Sequence, residues 1–326
     1  MGLKISEIKQ DTQTFYGHGK LLLTGEYFVL DGAHALAVPT RLGQSLRVRK
    51  LSAKDNLLYW VALNSKKEIW LNLVFDKLSL DCIGTDSAEA QRLSKILKEA
   101  RKLNPAFLIG GEDLAVETLL EFPNAWGLGS SSTLIYCIAQ WAGIDGYELL
   151  KNTIGGSGYD VACAGAESAI LYQLLDGKPK VLYLDWEPFF KNNIYFAYTG
   201  RKQLSGEAIK YYRSNLHDKS ISVNELNRIT DLVLTCHEQK EFEALIAEHE
   251  NLVGTQLRQV KVSDSMFAGF KGTVKSLGAW GGDFVMIVYD GPESELRDYL
   301  KQKSISIVFS WRELILSKQV HEPNHN

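Results

Sequence analysis

The sequence predicts an α+β protein of two domains, residues 1-187 and 188-326. Three observations carry that expectation. The chain has 326 residues, and at roughly 100–200 residues per domain two domains are the natural count, each with room for a buried core. The first half interleaves short alternating apolar runs with a helical apolar pattern, the mixture expected of helices packed on a sheet. Finally, Trp186-Glu187-Pro188-Phe189-Phe190-Lys191-Asn192-Asn193 breaks the pattern with a Pro and two Asn, after which a new strand and a helix-rich stretch begin.

The elements follow in order. Tyr16 to Leu23, Leu46 to Arg49, Leu58 to Ala62 and Ile69 to Phe75 are short and apolar or alternating, and read as strands. Asp86-Ser87-Ala88-Glu89 has the spacing of a capping box with Asp86 as the cap. Behind it Leu93, Ile96, Leu97 and Ala100 fall on one helical face. Leu114, Val116 and Thr118 alternate as a strand that runs into a Gly/Ser loop and then a helix carrying Leu134, Ile135, Ile138 and Ala139. Two apolar runs, Ala169 to Leu175 and Lys180 to Trp186, flank Asp176-Gly177 and form a hairpin. After the boundary come a strand over Ile194 to Tyr198 and two helical faces. One is Leu226, Ile229, Val233 and Cys236; the other is Phe242, Leu245, Ile246, His249, Leu252 and Val253. Glycines at 278–282 lead into a last buried strand, Phe284 to Tyr289.

Composition excludes several classes. Lys+Arg 36 against Asp+Glu 39 gives a net charge of −3, so no global basic field favours nucleic acid. An apolar fraction of 45% with 23% charged residues is that of a folded globular protein. The polar start, Met1 to Glu7, lacks the apolar run of a signal peptide, and Met1-Gly2 with Ser6 matches only the loose myristoylation pattern. No segment reaches the ~18 apolar residues of a membrane span. Cys82, Cys137, Cys163 and Cys236 form no CxxC pair, and Cys137 and Cys163 read as buried thiols. The expectation is a reduced, cytoplasmic protein with no membrane or nucleic-acid partner. His237 and His249 lie among charged residues without the HExxH spacing and read as a solvated helix face.

The 27 glycines concentrate beside Lys, Ser and Asp. In Gly19-Lys20-Leu21-Leu22-Leu23-Thr24-Gly25-Glu26, a Lys and a Glu bracket an apolar strand; taken alone, this is a strand end with a surface Lys, or a Lys aimed at an anion or a reacting hydroxyl. Gly127-Leu128-Gly129-Ser130-Ser131-Ser132-Thr133 opens a helix. Its glycines let a bound group approach the backbone, and the free N–H groups of a first helical turn favour phosphate. A cap needs one hydroxyl and here there are four, so phosphate binding is the stronger reading. Gly155-Gly156-Ser157-Gly158-Tyr159-Asp160 places a carboxylate after a tight turn, where it serves as a base, a metal ligand or simply a helix cap. Neither a Walker A loop nor a Rossmann fingerprint is present.

Together with Lys275-Ser276-Leu277-Gly278-Ala279-Trp280-Gly281-Gly282-Asp283, these segments resemble, in order and over most of the chain, the GHMP kinase superfamily. Within it they look most like phosphomevalonate kinases, with mevalonate, homoserine and sugar kinases as alternatives and a non-catalytic nucleotide-binding homologue as another. The resemblance implies a ribosomal-protein-S5-like N-terminal domain, a ferredoxin-like C-terminal domain, and transfer of the ATP γ-phosphoryl to a small, anionic acceptor with ATP and Mg²⁺ as cofactors. It implies that Gly127, Leu128, Gly129, Ser130, Ser131 and Ser132 cradle the ATP phosphates, with Ser130 or Ser131 on the metal. It makes Asp160 and Lys20 catalytic. Glu26, Ser157, Arg201, Lys202, Gly278, Ala279, Gly281, Gly282 and Asp283 fall on the substrate side. Trp126 and Trp280 stand where the family usually has smaller residues, and an indole there would narrow the cleft or stack on a ligand.

Overall fold

A computed structural model describes residues 12–201, 212–214, 220–278, 280 and 283–317. The chain forms two compact units, each assembled from several chain segments.

Unit 1 comprises Met1–Gly17, Gly43–Pro123 and Ser130–Gly155. Its sheet contains the second half of β2 (Ala35–Lys50), β3 (Leu57–Leu63), β4 (Ile69–Asp76), β5 (Cys82–Ile83) and β6 (Leu114–Leu120), in the order β5-β4-β3-β6-β2. β3 runs parallel to β6 and antiparallel to β4, and β6 runs antiparallel to β2. Leu58, Trp60 and Ala62 of β3 alternate inward, as the period-2 pattern requires. Helices α1 (Ala88–Leu103), α2 (Ser130–Ala142) and α3 (Gly146–Thr153) pack on one another. α1 buries Ala90, Leu93, Ile96, Leu97 and Ala100, the expected face.

The cap of α1 corrects the sequence reading. Ser87, not Asp86, is the N-cap, its Oγ accepting from Ala90 N–H at 3.2 Å, while Asp86 Oδ1 accepts from the Gln91 side chain. One residue of register decides which oxygen meets the orphan N–H groups. Ser87→Ala should cost about 1 kcal/mol in chemical denaturation, and Asp86→Ala clearly less.

Unit 2 comprises His18–Leu42, Asn124–Gly129 and Gly156–Asn326. The second half of β1 (Thr12–Leu22) and the first half of β2 belong to it, together with the hairpin β7 (Ile170–Leu175) and β8 (Lys178–Tyr183). β7 pairs antiparallel with Ala35–Ala37 of β2. A second sheet contains β9 (Ile194–Tyr198), β10 (Thr273–Ser276), β11 (Phe284–Val288) and β12 (Val308–Ser310), all antiparallel and in the order β10-β11-β9-β12. Helices α4 (Tyr159–Ala164), α5 (Ser220–Thr235), α6 (Gln239–Leu257), α7 (Glu293–Gln302) and α8 (Trp311–Leu314) also belong to the unit. Reading β9, the α5–α6 pair, β10, β11, α7 and β12 along the chain gives the βαββαβ sequence and strand order of a ferredoxin-like sheet. β11 is buried throughout, and Tyr195, Val285, Ile287, Leu296, Leu300 and Phe267 form one apolar core. No helix among the described residues is long and apolar enough to cross a membrane.

His249 is a second correction. It is fully buried on α6, in phase with Phe242, Leu245, Ile246 and Val253. The helical period already put it on the apolar face; its charged neighbours Glu248 and Glu250 suggested solvent instead. Cys137 and Cys163 are buried thiols, as expected.

Candidate active site

Lys20 lies near the end of β1 and is only 7% exposed. Its backbone N–H donates to Leu128 O at 3.0 Å and its ammonium donates to Gly127 O at 3.1 Å. A side-chain carbon at Gly129 would lie 3.3 Å from Lys20 Cγ. The lysine stem therefore runs along the glycine loop through the space that Gly129 leaves. At Gly127 a methyl would collide with the Asp283 carboxylate. Both glycines have positive φ, +68° and +91°, which a substituted residue adopts only with strain. The openness of this loop thus serves two side chains of the protein itself. Gly127→Ala should lower stability by roughly 1–3 kcal/mol in thermal denaturation. Combining it with Asp283→Gly should cost less than the sum of the two single changes, because they share one contact.

Asp160 and Tyr159 open α4, behind Gly158, whose φ is +91°. Burial opposes the charge of Lys20, but Tyr159, Asp160 and Asp283 together hold its pKa above the ordinary value. The ammonium sits over the Tyr159 ring, 5.5 Å from its centroid. Tyr159 itself is pushed up to about 12 by burial, against the pull of Lys20, so its phenol is neutral at physiological pH.

Asp283 has φ +50° and is buried. Its N–H donates to Arg201 O at 2.6 Å, and its carbonyl accepts from Thr199 N–H and Thr199 Oγ1 at 2.8 and 3.0 Å. The turn before β11 is thereby tied to the end of β9. Arg201 is exposed. Gly278 has φ +73°, and a methyl there would lie 3.7 Å from the Asp283 carboxylate. Ser157 O accepts from the Tyr172 hydroxyl. Lys202, Ala279, Gly281 and Gly282 lie outside the described residues. After Gly129 the chain passes directly into α2 in unit 1, where Ser131 is exposed, Ser130 half-buried and Ser132 buried.

The two tryptophans pack differently. Trp126 packs its ring on Tyr198, Phe284 and Phe309 at centroid distances of 5.9, 5.6 and 5.5 Å. Trp280 is buried against Tyr27, Phe28, Leu226, Val253 and Leu257. Its indole N–H donates to Glu250 Oε1 at 3.3 Å and its backbone N–H to the Tyr27 hydroxyl at 2.8 Å. Gly254 leaves the gap that the indole ring occupies. Trp280 therefore belongs to the core of unit 2, and stacking on a ligand is not its role.

Glu26 is 1% exposed and forms an ion pair with the fully buried Lys275. Lys275 also lies 3.6 Å from Glu250 Oε1, and Glu250 Oε2 accepts from Ser276 N–H at 3.2 Å. His249 Nε2 accepts from Gly25 N–H at 3.1 Å and lies 3.2 Å from Glu26 Oε2. An acceptor Nε2 means a neutral ring, and burial and the Lys275 charge both lower the His249 pKa. Burial opposes ionisation of Glu26, yet the Lys275 ammonium holds it down at about 2. Burial and the charge of Glu26 push Glu250 up to about 7, against the pull of Lys275. Two carboxylates share one ammonium, and the second keeps its proton longer.

The linkage has a definite sign. A carboxyl whose folded pKa is raised binds its proton more tightly when folded, so its contribution is greatest below pH 4.5 and is lost as pH rises through 7. His249 acts the other way below pH 6.5, where its depressed pKa makes protonation favour the unfolded chain. The wild type should therefore lose stability relative to Glu250→Gln, on the order of 1–3 kcal/mol between pH 5 and 8. Thermal denaturation across that range checks it; parallel curves would show that Glu250 does not titrate there. Sequence reasoning missed Tyr159, Thr199, Glu250 and Lys275 as members of these clusters. Only His249 carried a usable signal, its helical phase.

No protein-family model and no curated protein matches the sequence. Solved structures do. The fold is that of the GHMP kinases, a class that includes mevalonate kinase, phosphomevalonate kinase and galactokinase. The chain is similar to Methanococcus jannaschii mevalonate kinase, with a TM-score of 0.69 and 16% identity over 95% of this chain and 99% of that one. It is similar to Streptococcus pneumoniae phosphomevalonate kinase in complex with phosphomevalonate and AMPPNP, with a TM-score of 0.67 and 14% identity over 91% and 99%. Lactococcus lactis galactokinase complexed with galactose follows at 0.65 and 12% over 90% and 89%. At these identities the likeness is one of fold.

Proposed function

We propose that the chain is an ATP-dependent small-molecule kinase that transfers the γ-phosphoryl of ATP to a small acceptor, the anionic phosphomevalonate before mevalonate, homoserine or a sugar. The observation that carries this reading is Lys20. A buried lysine whose ammonium caps the Gly127 carbonyl, with Asp160 in its field, is a fixed positive charge on a glycine loop. Phosphoryl transfer needs that arrangement, because it depends on positioning and charge stabilisation more than on covalent chemistry.

The residues fit the cofactors. The 13-residue helix α2 begins directly after Gly129, and its first turn offers N–H groups together with the reachable hydroxyls of Ser130 and Ser131. Among the described residues no cluster of three or more His, Cys, Asp or Glu stands ready to hold a metal. Mg²⁺ would be held through nucleotide phosphates and one serine hydroxyl, that of Ser130 or Ser131. When bound, it neutralises charge on those phosphates. Gly127, Leu128 and Gly129 position the nucleotide, Lys20 holds charge at the reacting oxygen, and Asp160 orients the acceptor. A phosphate acceptor is already ionised at neutral pH, so Asp160 need remove no proton. Exposed Arg201, whose carbonyl accepts from Asp283 N–H, is assigned to the anionic substrate.

ADP release with ATP, Mg²⁺ and a panel of phosphomevalonate, mevalonate, homoserine and galactose tests this. Turnover on phosphomevalonate is the expected result. Turnover on another member would keep the kinase and replace the substrate, and ATP binding without turnover on any acceptor would overturn the catalytic reading.

A further inference from the structure

We propose that Tyr159 is a positioning residue that holds the Lys20 ammonium against the Gly127 carbonyl, an assignment that rests on the kinase reading above. A lysine head group on a four-carbon stem loses up to about 2 kcal/mol of rotamer entropy when held in one place. Something must hold it, and Gly129 and Gly127 offer only a path and one carbonyl. Tyr159 supplies a further restraint: its ring centroid is 5.5 Å from the ammonium, within the range of a cation–π contact, and its side chain favours the charged form of Lys20. The charge of Asp160 acts on the same ammonium. As consecutive helical residues, Tyr159 and Asp160 leave α4 about 100° apart, so one short helix addresses the lysine from two directions. The tight left-handed turn at Gly158 sets where that helix begins.

The roles of the two residues separate cleanly. Asp160 acts on the ammonium by charge and, in the kinase reading, orients the acceptor. Tyr159 is neutral at working pH and acts through Lys20 alone. Phe at 159 keeps the ring and its packing and removes only the hydroxyl; Leu removes both.

The test reads Lys20 directly. The Cε resonance of isotopically labelled lysine, assigned with Lys20→Arg, is followed through a pH titration in wild type, Tyr159→Phe and Tyr159→Leu. The Lys20 midpoint should fall by about one unit in Tyr159→Phe and further in Tyr159→Leu, because groups favouring the charged form have been removed. With the accepted substrate, kcat should fall about tenfold in Tyr159→Phe while KM for ATP stays within about twofold. An unmoved Lys20 midpoint in both variants overturns the assignment, even if the protein turns out to be an active kinase. A shifted midpoint in a protein that phosphorylates no acceptor leaves the Tyr159–Lys20 coupling standing and rejects the kinase reading instead. Should Tyr159→Leu fail to fold, the Phe variant alone decides.

Discussion

Lys20→Met is expected to lower kcat toward the accepted substrate by about 10²–10³-fold, the usual loss when one preorganised charge or donor is taken from a transition state. Met keeps most of the stem along Gly129, so the loop is still packed; what disappears is the ammonium on Gly127 O. The loss should fall on kcat more than on KM, since a group that acts on charge developing in the transition state contributes little to ground-state binding. Steady-state kinetics over a range of ATP concentrations separates the two. Lys20→Arg should rescue little, because a planar guanidinium does not fit a single carbonyl beside a phenol. Asp160→Asn gives a useful contrast. If the acceptor is a phosphate, it should cost less than the 10²–10⁴-fold typical of a lost general base; a loss at the upper end would mark Asp160 as a proton acceptor and point to a hydroxyl substrate.

The largest effect on stability is expected at Lys275. Lys275→Met should cost about 3–5 kcal/mol, as breaking a buried pair from one side does. Glu26 would be left 1% exposed with no ammonium, and Glu250 beside it. A fall of several degrees in Tm, larger at pH 8 than at pH 5, is the expected outcome, because acid protonates the abandoned carboxyls. Glu26→Gln combined with Lys275→Met should be milder than Lys275→Met alone. Equal losses in the single and double variants would show that packing of the lysine stem, and not charge, is what matters there.

Much of the architecture is legible in the sequence because it follows local periodicity. β3, β4, β6, β9 and the β7–β8 hairpin lie within a few residues of where alternation puts them, and α1 shows its apolar face openly. β2 is the instructive failure. Only Leu46 to Arg49 reads as a strand, although the strand spans Ala35–Lys50. Its first six residues are all buried, which erases alternation, and Pro39 and Gly43 look like breakers. The site divides in the same way. Lys20, the glycine loop and Asp160 stand out as motifs. The Lys20–Gly127 bond joins residues 107 apart, and the Lys275–Glu26 pair residues 249 apart. No window of sequence contains both partners of either, so the reason Glu26 is buried charged was not readable. Trp280 misled for the opposite reason: its neighbours in sequence form a glycine motif, while its neighbours in space are the core aromatics Tyr27 and Phe28.

The patchwork membership of unit 2 bears on how the protein can be made. Lys20 is synthesised early, but Gly127, Tyr159, Lys275 and Asp283 leave the ribosome in that order long afterwards. Until Lys275 emerges, Glu26 has no cation, and a nascent chain has every reason to keep that carboxylate in water. The first glycine motif therefore cannot settle into its final burial until most of the chain exists. Such long-range closure is slow, and chains arrested before residue 275 should leave the Gly25–Glu26 turn open to protease, whereas the unit 1 segments, complete by Gly155, are free to fold first.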